Sequence, residues 1–193
     1  PVGTQGPGYQ WVDLDGEGLS GVLTEQGGNW FYKPNLGSGC FGPITQVANR
    51  PAMAALASGR QQFMDLAGDG EIDLVDFSGA VAGFHERDNG SGWKNFVPFE
   101  ALPNIDWNDA NLRFLDLTGD GLADALITES ELFTWYSSRG EAGFEAVQQT
   151  RTPPDEEDGP RIVFADGTQT IFLADMSGDG LAISRRIGVS LVA

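Results

Sequence analysis

Acidic side chains in this sequence are concentrated in short loops, where their spacing could bind a divalent cation. In DLAGDGEID and DLTGDGLAD, carboxylates stand at positions 1, 5 and 9, and glycines stand at positions 4 and 6. In proteins, Ca²⁺ is held by about six to eight oxygens from carboxylates, carbonyls and water. Glycine lets the backbone turn tightly and reach positive φ. The pattern therefore predicts calcium-binding loops.

Four such loops occur, and we number them loop 1 (residues 13–21), loop 2 (65–73), loop 3 (116–124) and loop 4 (175–183). The stronger candidate ligands lie in loops 2 and 3, and they are Asp65, Asp69, Asp73, Asp116, Thr118, Asp120 and Asp124. The weaker candidates lie in loops 1 and 4, which lack a carboxylate at position 9, and they are Asp13, Asp15, Glu17, Asp175, Ser177 and Asp179. The competing interpretation is an Asx-type turn between strands, in which Asp accepts backbone hydrogen bonds and no metal is needed.

The loops mark an internal repeat that covers nearly the whole chain. Successive leading aspartates are 52, 51 and 59 residues apart, and they are Asp13, Asp65, Asp116 and Asp175. An aromatic residue follows the leading Asp by 28 residues in each complete unit, at Phe41, Trp93 and Phe144. Another follows by 19 or 20 residues, at Tyr32, Phe84 and Tyr136. The repeats extend over approximately residues 9–50, 60–100, 111–150 and 161–193, and the last departs from the pattern after Leu181.

Each repeat is predicted to form four short strands. Apolar runs enter and leave the Asp/Gly loops, as FMDL and IDLVDF do around loop 2. The segments NWFYK, GFHER and LFTWY are predicted third strands, and a fourth strand follows a Gly-rich step. Four strands in about 50 residues are typical of a propeller blade. The sequence therefore predicts an all-β fold of β-propeller type, with three complete blades and a partial fourth. We expect a helical turn in the connector RPAMAALASGR.

Composition excludes several function classes. The net charge is −17, from 28 acidic and 11 basic residues, and such a surface repels the phosphates of nucleic acid. No apolar run approaches the roughly 18 residues that a membrane-spanning helix needs. The first ten residues have neither the basic nor the apolar region of a signal peptide. Cys40 is the only cysteine, so an internal disulfide and a Cys-based zinc site are excluded.

Side chains suited to catalysis are scarce. His85 is the only histidine, and we expect it to face solvent on a strand in a structural role. Its neighbours Glu86 and Arg87 form no nucleophile–base pair with it. The Gly-rich loops lack the lysine and the helix start of a phosphate-binding loop. The sequence therefore predicts a binding protein rather than an enzyme.

The loop sequences resemble the FG-GAP/VCBS repeats of integrin-type β-propellers. Longer segments, such as VDLDGEGLSGVLTEQGGNWFYKPNLG and LPNIDWNDANLRFLDLTGDGLADALIT, are similar to the propeller region of the B component of bacterial toxin complexes, the TcdB/SpvB family. The similarity runs from about Tyr9 to Leu181. This resemblance implies a virulence-associated scaffold module that docks onto the translocation channel of the A component. It also implies a secreted or extracellular location.

Two alternatives stay open. Self-association could complete the ring, because the terminal repeats of an open array expose apolar faces and edge strands. The second alternative is a glycan-binding lectin of the FG-GAP-like propeller type, since aromatic rings can stack on sugars. We expect the repeat-matched Trp30, Trp93 and Trp135 to pack in the core. Trp107 lies in the connector NIDWNDAN, outside the repeat, and is the candidate ligand-facing aromatic.

Overall fold

The fold is built from short antiparallel strands. The structure is a computed structural model that describes residues 8–16, 18–51, 54–58, 61–88, 92–129, 131–151, 171–174 and 183–186. Two compact units divide the chain, unit 1 (Pro1–Phe99) and unit 2 (Glu100–Ala193). Within the described residues there is no α-helix, and the helical elements are two 3₁₀ turns. The predicted all-β class is confirmed.

Unit 1 contains two four-stranded sheets. Sheet 1 comprises β1 (Tyr9–Val12), β2 (Gly21–Gln26), β3 (Asn29–Lys33) and β4 (Thr45–Gln46), in that spatial order. Sheet 2 comprises β5 (Gln61–Met64), β6 (Asp73–Asp76), β7 (Gly83–His85) and β8 (Val97–Pro98), also in sequence order. A 3₁₀ turn at Leu56–Ser58 lies in the connector between the sheets, where a helical turn was predicted. Each sheet is thus a simple antiparallel meander.

Unit 2 repeats this plan once. Sheet 3 comprises β9 (Leu112–Leu115), β10 (Asp124–Thr128), β11 (Leu132–Tyr136) and β12 (Gln148–Arg151). A 3₁₀ turn at Gly140–Ala142 follows β11, and β13 (Ile171–Ala174) pairs with β14 (Ile183–Arg186). The three predicted four-stranded units are confirmed. Their arrangement as propeller blades stays a prediction.

The three sheets share one strand register. In each first hairpin, the residue before the leading Asp pairs with the residue at position 9 of the loop, as Val12 with Gly21, Met64 with Asp73 and Leu115 with Asp124. The register is specified because a shift of one residue would turn every buried side chain to the opposite face. Each Asp/Gly loop is therefore an eight-residue step at one fixed place in a meander.

The register also corrects one detail of the predicted repeat. The residue ten positions after each leading Asp pairs with Tyr32 in sheet 1, with Phe84 in sheet 2 and with Trp135 in sheet 3. Trp135, and not Tyr136, is therefore the equivalent of Tyr32 and Phe84. Tyr136 lies one residue further along and faces the other side of the sheet, since side chains alternate along a strand.

The hydrophobic core of unit 1 lies between sheets 1 and 2. Trp30 is fully buried and contacts Phe63 at 5.8 Å and Trp93 at 6.4 Å between ring centroids. Both tryptophans thus pack in the core as predicted, whereas Trp135 is half-buried. Aromatic pairs of this geometry contribute about 0.5–1.5 kcal/mol beyond area burial. The described part of the chain contains no helix with the length and hydrophobicity that a bilayer crossing requires.

Candidate functional site

The glycines of the Asp/Gly loops have the backbone conformation that the sequence predicted. The residues at positions 4 and 6 have φ between 70° and 87° in all three described loops, at Gly16, Gly18, Gly68, Gly70, Gly119 and Gly121. This left-handed region penalises side chains with a Cβ, so glycine is required at both places. The two turns direct the loop backbone N–H groups towards the leading Asp.

The leading Asp of loop 3 accepts hydrogen bonds from the loop backbone. Asp116 Oδ1 accepts from the N–H groups of Gly119 at 2.6 Å and Asp120 at 3.2 Å, and Oδ2 accepts from Gly121 N–H at 2.8 Å. The Thr118 hydroxyl donates to Oδ1 at 3.4 Å. Desolvation opposes the charged form of Asp116, but these hydrogen bonds outweigh it and lower the pKa of the carboxyl. Asp116 therefore stabilises the turn as an anion.

Asp124, at position 9 of loop 3, is a buried support rather than an exposed carboxylate. Its side chain is 0% exposed. Oδ2 accepts from the N–H groups of Leu117 at 2.8 Å and Thr118 at 3.2 Å, and Oδ1 accepts from Ser138 N–H at 2.7 Å. The carboxylate thus ties the start of the loop to the residues that follow β11. Asp120, by contrast, is exposed and accepts one hydrogen bond, from Leu122 N–H at 2.9 Å.

Loop 2 repeats this arrangement. Asp65 accepts from the N–H groups of Gly68 at 2.7 Å, Asp69 at 3.2 Å and Gly70 at 2.8 Å. Asp73 is buried. Its carboxylate accepts from Leu66 N–H at 3.2 Å and from the N–H of Arg87, two residues after β7, at 3.3 Å. Positions 1 and 9 therefore have the same two roles in both loops.

The environment of Asp73 opposes its ionisation. Burial raises the pKa of Asp73 from 3.8 to about 6, against the lowering effect of its two backbone hydrogen bonds. The charges of Asp69 and Asp65 raise it further. The carboxylates of loop 2 are therefore close enough to repel one another.

The start of loop 1 is held in place without a carboxylate at position 9. Gly21 occupies that position, and a Cβ added there would lie 2.5 Å from the Tyr32 hydroxyl oxygen. This hydroxyl accepts from Leu14 N–H at 3.3 Å and donates to the Val12 carbonyl at 3.3 Å. The tyrosine thus replaces the buried aspartate of loops 2 and 3, a substitution that no sequence pattern indicated.

Asp15, a weaker predicted ligand in loop 1, is paired with a distant cation. Its Oδ1 lies 3.1 Å from Nη2 of Arg87, which is 72 positions away in the sequence. The Arg87 guanidinium is buried and lies 5.1 Å from the centre of the Trp93 ring. Asp13 Oδ2 accepts from Gly18 N–H at 2.5 Å. The predicted ligands Glu17, Asp175, Ser177 and Asp179 lie outside the described residues.

Only some of the predicted ligand side chains have oxygen lone pairs left for a cation. Within the described residues, no group of three or more Asp, Glu, His or Cys side chains is arranged to hold a metal ion. A carboxylate offers about four lone-pair sites, and Asp120 uses one of them, whereas Asp124 is buried and uses three. Asp116, at position 1, accepts four hydrogen bonds, so by this count only position 5 keeps several lone pairs free for a calcium ion. The calcium assignments themselves stay predictions.

A cleft of about 440 Å³ opens in unit 1 beside sheet 2. Polar groups of Gln61, Asp76 and His85 and apolar groups of Val81 and Phe96 contribute to its lining. His85 is half-buried rather than solvent-facing, with Nδ1 2.8 Å from a backbone carbonyl and its ring 5.4 Å from Phe96. No sequence pattern indicated this cleft, because its walls come from separate strands and connectors.

Trp107, the predicted ligand-facing aromatic, is half-buried against other rings. Its ring is stacked on Phe114 at 6.3 Å with an interplanar angle of 2°. It also contacts Phe144 at 5.7 Å. One face of the indole is therefore covered, and the residue contributes to the packing of sheet 3.

Comparison with known proteins identifies relatives by fold. No family model matches the chain, and no curated protein matches it. The Photorhabdus luminescens Tc holotoxin pore superimposes with a TM-score of 0.68 and 24% identity. An Agrocybe aegerita lectin, described for specific recognition of non-reducing terminal N-acetylglucosamine, superimposes with a TM-score of 0.52 and 20% identity. A crystallised TcdB2–TccC3 complex gives a TM-score of 0.51 and 17% identity.

These similarities cover almost all of this chain but only part of each relative. The alignments include 93%, 91% and 94% of this chain, and 8%, 45% and 14% of the toxin pore, the lectin and the TcdB2–TccC3 chain, respectively. At such identities the likeness shows the fold alone. The chain therefore has a toxin-complex-like β-fold, and it spans less than half the length of these relatives.

Proposed function

We propose that this chain is a non-catalytic binding and scaffold module of the toxin-complex type, with its repeats acting as β-propeller blades of the FG-GAP/VCBS kind. The observation that carries the proposal is the shared construction of the three sheets, with one register and one loop geometry. The Asp side chains of those loops accept backbone hydrogen bonds, so they are used to build the scaffold. Such repetition supports a stiff surface for recognition.

The proposed partner is a protein, namely the translocation channel of a toxin A component. The proposed place of contact is outside the cell that produces the chain. The similarity in fold to the Tc holotoxin pore over 93% of the chain supports this choice. The charge of −17 argues against a nucleic-acid partner.

Docking can be tested by immobilising the chain and passing the purified A component of the Photorhabdus luminescens Tc toxin over it, because the assembled pore already contains the region that this chain resembles. We expect saturable binding that a free copy of the chain competes away. The control is the chain unfolded in urea and immobilised in the same way, which should not bind. Absence of binding by the folded chain, or equal binding by the unfolded control, would contradict docking.

Calcium support of loops 2 and 3 is part of the proposal. Asp69 and Asp120 would hold the ion together with loop carbonyls and water, which are the hard oxygen ligands that Ca²⁺ prefers. Asp65 and Asp116 would join them by exchanging backbone hydrogen bonds for the ion. The ion would neutralise carboxylates that repel one another in loop 2. Asp73 and Asp124 would fix the loop backbone through their hydrogen bonds without contacting the ion.

Thermal unfolding in EDTA and in calcium tests this part. An ion that binds only the folded state adds about 2.7 kcal/mol of stability at 100 times its Kd. We therefore expect a higher Tm in calcium, and a smaller increase for Asp120→Asn. Magnesium at the same concentration is the control for ionic strength. Equal midpoints in EDTA and calcium would assign the loop aspartates to turn formation alone.

Glycan binding is the second candidate function, and the cleft beside sheet 2 favours it. The cleft combines groups that can hydrogen-bond hydroxyls, on Asp76, Gln61 and His85, with the apolar surface of Phe96. Sugar sites use this combination of a few polar groups and an aromatic face. The superimposed Agrocybe aegerita lectin, which recognises terminal N-acetylglucosamine, supplies the probe sugar.

Saturation-transfer NMR with N-acetylglucosamine would detect such binding directly. We expect transfer to the sugar from wild-type protein and its loss in Phe96→Ala, because Phe96 is 41% exposed at the cleft. Trp107→Ala is a poorer probe, since it also removes the ring stacked on Phe114. A signal that survives Phe96→Ala would place the sugar elsewhere, and no signal at all would remove this candidate.

A further inference from the structure

An ion pair joins loop 1 to the repeat of sheet 2, and both of its charges are specific to this contact. Asp15 Oδ1 lies 3.1 Å from Arg87 Nη2. Asp15 stands at position 3 of its loop, and the residues at position 3 of the other loops are Ala67, Thr118 and Ser177. Arg87 forms an isolated bridge after β7, and the residues in the matching bridges after β3 and β11 are Asn35 and Ser138. The acid and the base therefore occur together, at the junction between two consecutive sheets of unit 1.

The Arg87 guanidinium is shielded from water. The Arg87 side chain is 6% exposed, whereas that of Asp15 is 42% exposed. The guanidinium lies 5.1 Å from the centre of the Trp93 ring, and its Nη1 is buried without a hydrogen-bond partner among the described residues. A buried cation is costly unless an anion lies beside it. Arg87 therefore depends on the Asp15 carboxylate more than Asp15 depends on Arg87.

Loop 1 lies close against loop 2 beside this ion pair. A Cβ added to Gly16, the residue after Asp15, would lie 2.9 Å from the carbonyl oxygen of Gly70 in loop 2. The backbone on one side of Asp15 is thus in contact with loop 2, and the carboxylate is in contact with Arg87. The position of Asp15 is therefore set by two contacts with the following repeat.

Arg87 competes with a metal ion for the Asp15 carboxylate. Asp15 and Asp13 are predicted ligands of loop 1, and position 9 of this loop is Gly21, which offers no carboxylate. The guanidinium already places a positive charge 3.1 Å from Asp15. A calcium ion on the same carboxylate would add two positive charges beside it, and a like charge within about 4–6 Å disfavours a charged group. Burial strengthens this repulsion, because water screens it less.

We propose that Arg87 is the resident counter-cation of loop 1 and that it determines that this loop binds no calcium. The guanidinium neutralises the carboxylate that an ion would otherwise bind, and it fastens loop 1 to the repeat of sheet 2 at any calcium concentration. Loops 2 and 3 have an uncharged residue where loop 1 has Asp15, so no carboxylate at position 3 requires such a partner there. The inference rests on the proposed calcium support of loops 2 and 3, and it names the residue that exempts loop 1.

Isothermal titration calorimetry with calcium, extended to about 10 mM because weak protein sites have a Kd of about 10⁻⁴–10⁻³ M, tests the exclusion. Arg87→Met keeps an apolar side chain against Trp93 and removes the charge. We expect it to bind one calcium equivalent more than the wild type, and the double variant Asp15→Asn/Arg87→Met to return to the wild-type number. Arg87→Lys keeps the charge and should also bind the wild-type number. If Arg87→Met loses its near-ultraviolet circular dichroism, Arg87→Gln takes its place in the test.

The matched control is Arg50→Met. Arg50 also pairs with a carboxylate in unit 1, since it lies 3.1 Å from Glu25, and it lies 5.8 Å from the centre of the Trp30 ring. The control removes the same charge from the same kind of contact outside the Asp/Gly loops. It should therefore bind the wild-type number of calcium ions.

Urea unfolding in EDTA tests the fastening without any metal. In a double-mutant cycle of Asp15→Asn and Arg87→Met, we expect the two changes to be coupled by roughly threefold or more in the unfolding equilibrium constant of unit 1. Additive effects would overturn the fastening.

Three results of the titration would overturn the exclusion. They are an unchanged calcium number in folded Arg87→Met, an extra site that persists in the double variant or appears in Arg50→Met, and the loss of a site in Asp15→Asn alone. A wild type that binds no calcium would instead contradict the support of loops 2 and 3, and the extra site of Arg87→Met would still be detected. The two proposals can therefore fail separately.

Discussion

Replacing Asp124 with Asn separates a structural carboxylate from a metal ligand. Asp124 is fully buried and accepts three backbone N–H groups, from Leu117, Thr118 and Ser138. Asn has the same shape, so no cavity forms, but one of its two polar atoms becomes a donor. Whichever way the amide turns, at least one buried backbone N–H then faces an N–H group.

The expected loss follows from those three hydrogen bonds. A hydrogen bond to a charged group contributes about 1.5–3 kcal/mol, and an unsatisfied buried donor costs about 1–3 kcal/mol. In Asp124→Asn one bond is lost and the others are weakened. We therefore expect unit 2 to lose about 3 kcal/mol of unfolding free energy, a large part of the roughly 5–15 kcal/mol that stabilises a domain. Asp120→Asn is the matched control, because Asp120 is exposed and accepts one hydrogen bond.

Urea unfolding followed by circular dichroism measures both variants, once in EDTA and once in calcium. Two transitions are fitted where the two units unfold separately. If Asp124 acts as a buried acceptor, Asp124→Asn should lose the same unfolding free energy in EDTA and in calcium. Asp120→Asn should lose less than about 1 kcal/mol in EDTA. A loss confined to calcium would make Asp124 a ligand and refute the reasoning. So would a loss in EDTA no larger than that of the control.

Two further predictions concern unit 1. Burial raises the pKa of Asp73 to about 6, so the folded state binds this proton more tightly than the unfolded state does. The contribution of this carboxyl to stability is then greatest below about pH 4 and is lost as the pH rises through 6, by about 3 kcal/mol for some two pKa units. Between pH 4 and pH 7 the change in unfolding free energy, measured in urea, should therefore be less favourable in the wild type than in Asp73→Asn, and an equal change in both would contradict the assignment. Tyr32→Phe removes the acceptor of Leu14 N–H and the donor to the Val12 carbonyl, and should cost about 1–3 kcal/mol in the same assay. The control is Tyr136→Phe, for which the described structure shows no hydroxyl hydrogen bond; equal losses in the two variants would rule out the bridging role.

Much of the local structure could be predicted from the repeat. The strands NWFYK and LFTWY have the bounds that the alternation indicated, at Asn29–Lys33 and Leu132–Tyr136. The loop glycines have the predicted positive φ. These features are local, because strand alternation and glycine conformation depend on the nearest few residues. Strand pairing was needed to show that Trp135, at offset 19, rather than Tyr136, at offset 20, is the equivalent of Tyr32 and Phe84.

The sequence by itself determined that this protein is an all-β repeat with acidic, glycine-bearing loops. Tertiary structure decided what those loop residues do. Asp124 is a buried acceptor because the chain after β11 places Ser138 N–H beside it. Asp15 pairs with Arg87, which is 72 positions away in the sequence. Burial and distant partners are set by how strands pair and sheets pack, and a carboxylate at position 9 looks the same in a sequence whether it faces solvent or the core.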